Sequence, residues 1–385
     1  MPAPAAAPCS HLPRADLPFV QSAPLDPDEL AARVGSWLSG RGPESDVVVS
    51  SRVRLARNLA GSPFPLATPS GGGTEILDRV RPLATRHTYD GDASWVPLEG
   101  ASDVLRWVLF ERNLATREMV GSEASTELAA RAVVFWPQED LAILMGEEDH
   151  LRLQGLASGL DLEGALGRVV ALDRTLEGDL EYQLDERLGF LTACPSNVGT
   201  GMRASVMLHL PGLGAVRSEL KKVFHAAQHT GLAVRGLHGE GSRAAGDLYQ
   251  VSNQVTLGAS EEELVEGLLA IVRRIVTAER TMREALLESR REALRDRVAR
   301  SLATLRTGMS MHTEAALRHL SWVRLGHHLD LVQGLDTALL NRLAVQIQRG
   351  HLQALHGSTT GALLEPSERR KLRASLLRAA FSGRG

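Results

Sequence analysis

From Asp46 the chain reads DVVVSSRVRLARN, in which apolar and polar side chains alternate from Val49 onward. Alternation with period two predicts a half-buried strand. It also projects Arg52 and Arg54, two residues apart, from one face. Arg131–Trp136 (RAVVFW) and Leu141–Met145 (LAILM) flank Pro137-Gln138-Glu139-Asp140 and predict a hairpin. Gly189–Thr192 reads as a short strand entering CPSNVGTGMRAS, and Ala233–Leu237 and Leu248–Thr256 alternate as strands around HGEGSRAAG. Helical spacing covers Ile76–Arg86, Val104–Leu114, Asp161–Tyr182 and Arg217–Thr230. From Ser260 the pattern turns almost wholly helical, and a domain boundary is expected near residues 280–295. Strands that follow one another, with helices segregated, predict an α+β catalytic domain, an antiparallel sheet flanked by helices, with an all-α C-terminal domain after it. Residues 1–25, with Pro2, Pro4, Pro8, Pro13, Pro18 and Pro24 among alanines, predict a flexible tail.

Composition narrows the class. A chain of 385 residues predicts two or three domains, and 43% hydrophobic residues supply a core. A net charge of −3 gives no bulk drive toward nucleic acid or an anionic membrane. No apolar run approaches membrane-spanning length and the start lacks a signal-peptide pattern, so a cytoplasmic protein is expected. Cys9 and Cys194 alone exclude a disulfide framework and a four-cysteine zinc site. His87, His209, His225, His229, His327, His328 and His351 show no metal-ligand pattern, so no resident metal is expected. Lysine occurs only at Lys221, Lys222 and Lys371, so 43 − 3 = 40 basic residues are arginine. Any phosphate grip must therefore use guanidinium forks. No GxxxxGK[ST] occurs, and no GxGxxG follows an apolar strand, which argues against the two common nucleotide folds.

The chemistry-bearing segments lie at strand ends and loops. Glu147-Glu148-Asp149-His150 follows the apolar strand LAILM and precedes Arg152. Such a turn is either a solvated loop or a concentration of carboxylates at a sheet rim. Arg203 closes CPSNVGTGMR and Arg235 opens VRGLHGEG, each beside a strand or glycine-rich loop. Converging with Arg52, Arg54 and Arg152, they would meet a triphosphate bidentately. The alternative is ordinary ion pairing with the 46 acids. Carboxylates in the same cleft would bind Mg²⁺ or hold a cationic acceptor. Cys194, in a polar loop, is either an inert thiol or a reactive one. From the residues alone a Cys–His hydrolase with His150 or His238 as base stays open.

SSRVRLARN, EEDHLRLQ, CPSNVGTGMRAS and VRGLHGEGSRAAGDLYQVSNQVTLG, in this order and spacing, strongly resemble the phosphagen (guanidino) kinases. Two features resemble their bacterial protein-arginine kinase branch. Only a short stretch precedes SSRVR, where metabolite kinases carry a helical domain. The C-terminal ALRDRVARSLATLRTG, WVRLGHHLDLVQGL and PSERRKLRASLLR also match that branch. The resemblance implies a glutamine synthetase/guanido kinase-like catalytic domain over residues 26–285 and a helical, phosphoarginine-binding regulatory domain over 286–385. It implies that Arg52, Arg54, Arg152, Arg203 and Arg235, with Ser51 and His150, bind ATP. It gives Glu148 and Glu240, with Glu147 beside them, the acceptor guanidinium, and Cys194 a contact with it. Also implied are Mg²⁺, protein substrates bearing arginine, a homodimer, a zinc-binding activator adaptor and Clp-type quality control under stress. Two positions depart from the pattern. Met207 stands where metabolite kinases place a histidine near the base. In the allosteric motif RDxxRA, Arg369 and Arg373 are present but Arg370 replaces the aspartate. The other readings are a kinase for free arginine or another small guanidino metabolite, and a catalytically silent binding module.

Overall fold

The computed structural model describes residues 25–65, 72–86, 89–121, 130–236, 245–356 and 364–382. Among the described residues ten strands are present: β1 (Val48–Arg57), β2 (Ser94–Pro97), β3 (Ala132–Phe135), β4 (Leu141–Met145), β5 (Leu151–Ser158), β6 (Leu184–Asp185), β7 (Gly189–Phe190), β8 (Met202–His209), β9 (Leu232–Gly236) and β10 (Leu248–Asn253). Eight of them form one sheet in the order β2-β3-β4-β5-β1-β8-β10-β9. Every neighbouring pair is antiparallel. β6 and β7 make a separate small hairpin.

The helices are α1 (Pro27–Ala32), α2 (Gly72–Arg86), α3 (Asp103–Glu111), α4 (Arg117–Val120), α5 (Leu162–Glu177), α6 (Pro211–Ala215), α7 (Arg217–His229), α8 (Glu261–Thr307), α9 (Thr313–His328), α10 (Thr337–Gln346), α11 (Arg349–Leu355) and α12 (Pro366–Phe381). The α+β class and the helical C-terminal region are as the pattern predicts. The predicted helix 161–182 stops at Glu177, where Gly178 follows and Leu180 and Tyr182 turn into the core. β2 has no counterpart in the sequence reading, because four residues are too few to show a period.

Burial on the two faces of the sheet explains what is left for chemistry. Val53 and Leu55 of β1, Leu153 of β5, Val206 of β8 and Val251 of β10 pack against Ala165, Val169 and Leu172 of α5 and Leu268, Val272 and Ile275 of α8. Side chains of opposite parity on these strands form the other face. Its β2–β4 end is closed by α3, whose Val104, Leu105, Val108 and Leu109 bury Val133, Phe135, Ala142 and Leu144. A third cluster, from Leu305, Leu317, Leu320, Leu340, Leu343, Leu377 and Phe381, builds the helical region and also takes in Ala245.

The expected boundary near residues 280–295 falls within α8. That helix opens on a capping box, Ser260 with Glu263, and departs from helical backbone at Arg290 (φ −139°, ψ 31°). Leu, Ala, Arg and Glu are good helix formers on both sides of that point, so pattern alone shows no break.

Arg57 belongs to the helix-covered face. It is 1% exposed, its Nε and Nη2 donate to Asp173 on α5, and its guanidinium lies 3.5 Å from the Phe190 ring centroid. Removing one partner of a buried pair leaves an uncompensated charge. Asp173→Ala is therefore expected to lower unfolding stability by about 3–5 kcal/mol in urea titration.

Candidate active site

Register assembles the arginines. In β1, Arg54 is opposite Gln154 of β5 and Arg203 of β8, and Arg52 is opposite Leu156 and Ser205. Arg152 is opposite Ala56, two residues beyond Arg54. Met207 pairs with Gln250 of β10, and Gln250 pairs with Arg235 of β9. Because side chains repeat every two residues, Arg52, Arg54, Arg152, Arg203 and Arg235 all project from one face across four strands. Ser51 has the other parity. Its buried hydroxyl donates to the Gly159 carbonyl at 2.8 Å and accepts from Asp161 N–H at 3.1 Å, so it braces the start of α5.

Electrostatics ties the five cations together. Burial, with Arg152 and Arg203 nearby, pushes the Arg52 guanidinium down to about 10. Arg54 is depressed further by burial and by Arg52, Arg152 and Arg203, with Glu147 opposing. Arg203 is lowered by burial, Arg235 and Arg152, while Cys194 and Glu148 act the other way. Arg52, Arg54, Arg152 and Arg203 thus influence one another directly, and Arg203 links them to Arg235, Glu148 and Cys194. Like charges directly opposite across strands, as at Arg54 and Arg203, destabilise a sheet. Among the described residues, Arg52, Arg54 and Arg203 have no carboxylate partner: Arg52 reaches Asn113 and Arg203 reaches Ser252, each at 3.4 Å. Nε of Arg54 and Nε of Arg203 are buried without a hydrogen bond.

The acidic turn between β4 and β5 meets this cluster through Arg152, which pairs with Glu147 and with Glu148, the latter at 2.9 Å. Thr116 at the N-cap of α4 donates to Glu147. Glu148 is half-buried, and its carboxyl is raised above the usual range by burial, which outweighs Arg152, with Glu147, Asp149 and Glu118 adding to the rise. Across these five arginines and two glutamates the formal charge is 5 − 2 = +3.

Three buried groups hold the turn against the Cys194 loop. Asn58 donates to Asp149 at 2.7 Å and to the Leu191 carbonyl at 3.0 Å, and accepts from His150 N–H at 2.9 Å. The same Asp149 oxygen accepts from Ala193 N–H at 2.8 Å. Both ring nitrogens of His150 are committed, Nδ1 accepting from Leu59 N–H at 3.0 Å and Nε2 facing the Pro63 carbonyl at 2.8 Å. Cys194 Sγ lies 3.0 Å from Ser196 Oγ. Asn58 and Thr116 were not singled out in the sequence, and Asp149 was noted there only as part of the acidic turn. The signal for Asn58 was available, since it closes SSRVRLARN. Asn58→Ala, which takes a donor from Asp149 and the Leu191 carbonyl and the acceptor from His150 N–H, is expected to cost about 1–3 kcal/mol of stability in thermal unfolding.

Glu240 and His238 lie outside the described residues. Arg369 and Arg373 are on α12. Arg373 is buried and donates to the Ile347 and Met311 carbonyls, both at 2.8 Å, while Arg369 donates to the Leu364 carbonyl. Arg370 lies 3.2 Å from His312 Nε2.

Comparison with known proteins gives the family. Residues 77–282 match the family model of the ATP:guanido phosphotransferase C-terminal catalytic domain. The protein-arginine kinase of Symbiobacterium thermophilum is 41% identical over 359 residues, 92% of this chain and 99% of that protein. The chain belongs to the protein-arginine kinase branch of the ATP:guanido phosphotransferases. This family member is a phosphotransferase that uses ATP. The protein-arginine kinase of Pelotomaculum thermopropionicum is 39% identical, covering 90% of this chain and 95% of its own. Residues 291–384 match the protein-arginine kinase McsB C-terminal domain. The crystal structure of lombricine kinase aligns with a TM-score of 0.54 at 26% identity, over 69% of this chain and 73% of that one. Among the described residues no helix is long and apolar enough to cross a membrane.

Proposed function

We propose that this enzyme transfers the terminal phosphoryl group of ATP to the guanidinium of arginine side chains in proteins. One observation carries the reading. Five guanidinium groups share a face, three of them lack a carboxylate among the described residues, and a half-buried glutamate and a cysteine adjoin them. Burying unneutralised cations is costly. A polyphosphate supplies the missing negative charge and the bidentate acceptors that guanidinium forks fit.

In this reading Arg52, Arg54, Arg152, Arg203 and Arg235 bind the phosphates and neutralise charge on the transferring group. ATP supplies the phosphoryl group, and Mg²⁺ bound with the nucleotide would help neutralise phosphate charge, while Arg152 engages Glu147 and Glu148. A guanidinium is a poor nucleophile while its charge is delocalised. Glu148, with Glu240 and supported by Glu147, holds the acceptor guanidinium and localises its charge, and Cys194 contacts it. The acceptor nitrogen forms an N–P bond as the bond from phosphorus to the bridging oxygen breaks. ADP leaves and the released proton passes to Glu148. Ser51 and His150 serve this site by fixing β1 and the acidic turn.

The same reading extends to the division of the chain at residues 285/286 and to a phosphoarginine site at Arg369 and Arg373, retuned by Arg370. It also includes a homodimer and cytoplasmic action under stress with a zinc-binding adaptor and a Clp-type unfoldase.

The test offers γ-labelled ATP with Mg²⁺ to an unfolded arginine-rich protein in one tube and to free arginine in another. Acid-labile label on protein, abolished by chelating Mg²⁺, is the expected result. Label on free arginine alone makes the enzyme a metabolite kinase, and no label in either tube overturns the reading.

A further inference from the structure

Three of the seven large apolar side chains exposed among the described residues, Leu184, Leu188 and Leu257, line one cleft, and a fourth, Val255, is two residues before Leu257 in the chain. Leu184 is 62% exposed, Leu188 44%, Val255 63% and Leu257 50%. Between the β6–β7 hairpin and the segment leading into α8 lies an open cleft of about 360 Å³, walled by Leu184, Leu188, Phe190, Thr256, Leu257 and Glu261. An apolar side chain left in water is ordinary, but a contiguous group marks a contact surface.

Close backbone contact builds the cleft floor. Phe190 and Gly199 exchange backbone hydrogen bonds, and Thr256 Oγ1 donates to the Val198 carbonyl at 2.7 Å and to the Ser196 carbonyl at 3.1 Å. A Cβ on Gly199 (φ +116°) would come within 2.6 Å of the Thr256 carbonyl, and one on Gly189 (φ +77°) within 2.6 Å of the Gly199 carbonyl. The cation–π contact with Arg57 fixes the Phe190 ring. The wall of this cleft therefore shares the segment 190–199 with Cys194, the acceptor end of the site.

Charge identifies the occupant. Residues 177–190 and 255–263 contain Glu177, Asp179, Glu181, Asp185, Glu186, Glu261, Glu262 and Glu263 against Arg187 alone, in a chain that is almost balanced overall. The cleft wall itself holds Arg187 and Glu261, the latter 3.9 Å from Arg57, and the acid-rich segments on either side of it complement a cationic, partly apolar polypeptide.

We infer that this cleft receives the polypeptide around the acceptor arginine, seating an apolar side chain close to the target while the acid-rich segments attract further basic residues. The inference rests on the protein-arginine reading above and specifies its substrate class as an extended segment with mixed apolar and basic character. A folded protein rarely presents such a segment, so the cleft selects unfolded chains.

The test uses a fluorescent peptide carrying one arginine flanked by leucines and lysines, the same peptide with serines for leucines, and arginine amide. Leu184→Ser with Leu257→Ser changes two exposed side chains outside the phosphate and acceptor groups. The double variant is expected to bind the leucine peptide roughly tenfold more weakly by anisotropy and to raise its KM equally with kcat unchanged. The serine peptide and arginine amide should hardly respond, and salt should weaken the leucine–lysine peptide more than arginine amide. Unchanged binding of the leucine peptide, or an equal change for arginine amide, overturns the inference. So does dissociation of a dimer by the double variant in sedimentation, which would make the cleft a contact between copies. The anisotropy arm reads the cleft even if no arginine is phosphorylated, so this inference and the kinase reading fail separately.

Discussion

Arg203→Ala is expected to lower kcat/KM by about 10²–10³ while leaving the unfolding midpoint unchanged or higher. The loss follows from removing one preorganised donor from a site that stabilises charge on the transferring phosphoryl group, worth about 3–4 kcal/mol where measured. The stability effect has the opposite sign because of what surrounds the residue. Arg203 is directly opposite Arg54, is lowered by burial and by Arg235 and Arg152, and finds no carboxylate among the described residues. Its removal relieves like-charge repulsion and returns no buried anion to an unpaired state. Because the depressed guanidinium remains charged at neutral pH in both folded and unfolded chains, the penalty is fully present there. A steady-state assay paired with thermal unfolding checks both signs. A structural ion pair such as Arg57–Asp173 would lose stability instead, which distinguishes the two kinds of arginine.

Glu148→Gln is expected to reduce kcat by at least about 10² with a small change in nucleotide affinity, the range for a positioned base. Glutamine keeps the shape and still accepts a hydrogen bond from the acceptor, but it cannot take the proton released as the N–P bond forms. The pH profile offers an independent check. Burial raises the Glu148 carboxyl above the ordinary range, so the basic form is present above that raised pKa and lost as pH falls through it. The acid limb of kcat is therefore expected at higher pH than for an ordinary carboxylate, and the variant should lack it. Linkage runs in the same direction. The ionised, desolvated Glu148 destabilises the fold above its raised pKa and is relieved as pH falls, so the glutamine variant should be no less stable at neutral pH.

Much of the site was legible before any tertiary contact was known, for reasons that differ by residue. Arg52 and Arg54 share a face because period-two alternation is a property of the strand itself. Arg152, Arg203 and Arg235 could be nominated because each abuts a strand or a glycine-rich loop. Glu147 and Glu148 stood out as acids following an apolar strand. Ser51 and His150 show the limit of reading by neighbourhood. Ser51 is adjacent to Arg52 in the chain and so points to the opposite face, where it braces α5. His150 is adjacent to the acidic turn, yet both ring nitrogens are taken by backbone groups at Leu59 and Pro63. Asn58 carries its weight through partners that lie 91 and 133 residues away, which no local pattern displays.

Strand periods, the acidic turn, the motif order that marks the family and the helical character of the C-terminal region are legible along the chain, since these depend on neighbours a few residues apart. Tertiary structure decided which of the 40 arginines are free to act. Arg54 and Arg57 are three residues apart in one strand with similar flanks. Arg57 meets Asp173, 116 residues on, because α5 packs over its face of the sheet. Arg54 points to the other face, where its neighbours are Arg52, Arg152 and Arg203. Whether a guanidinium is neutralised by the protein or left for a phosphate is set by long-range packing, and packing depends on contacts that the spacing of residues along the chain does not encode.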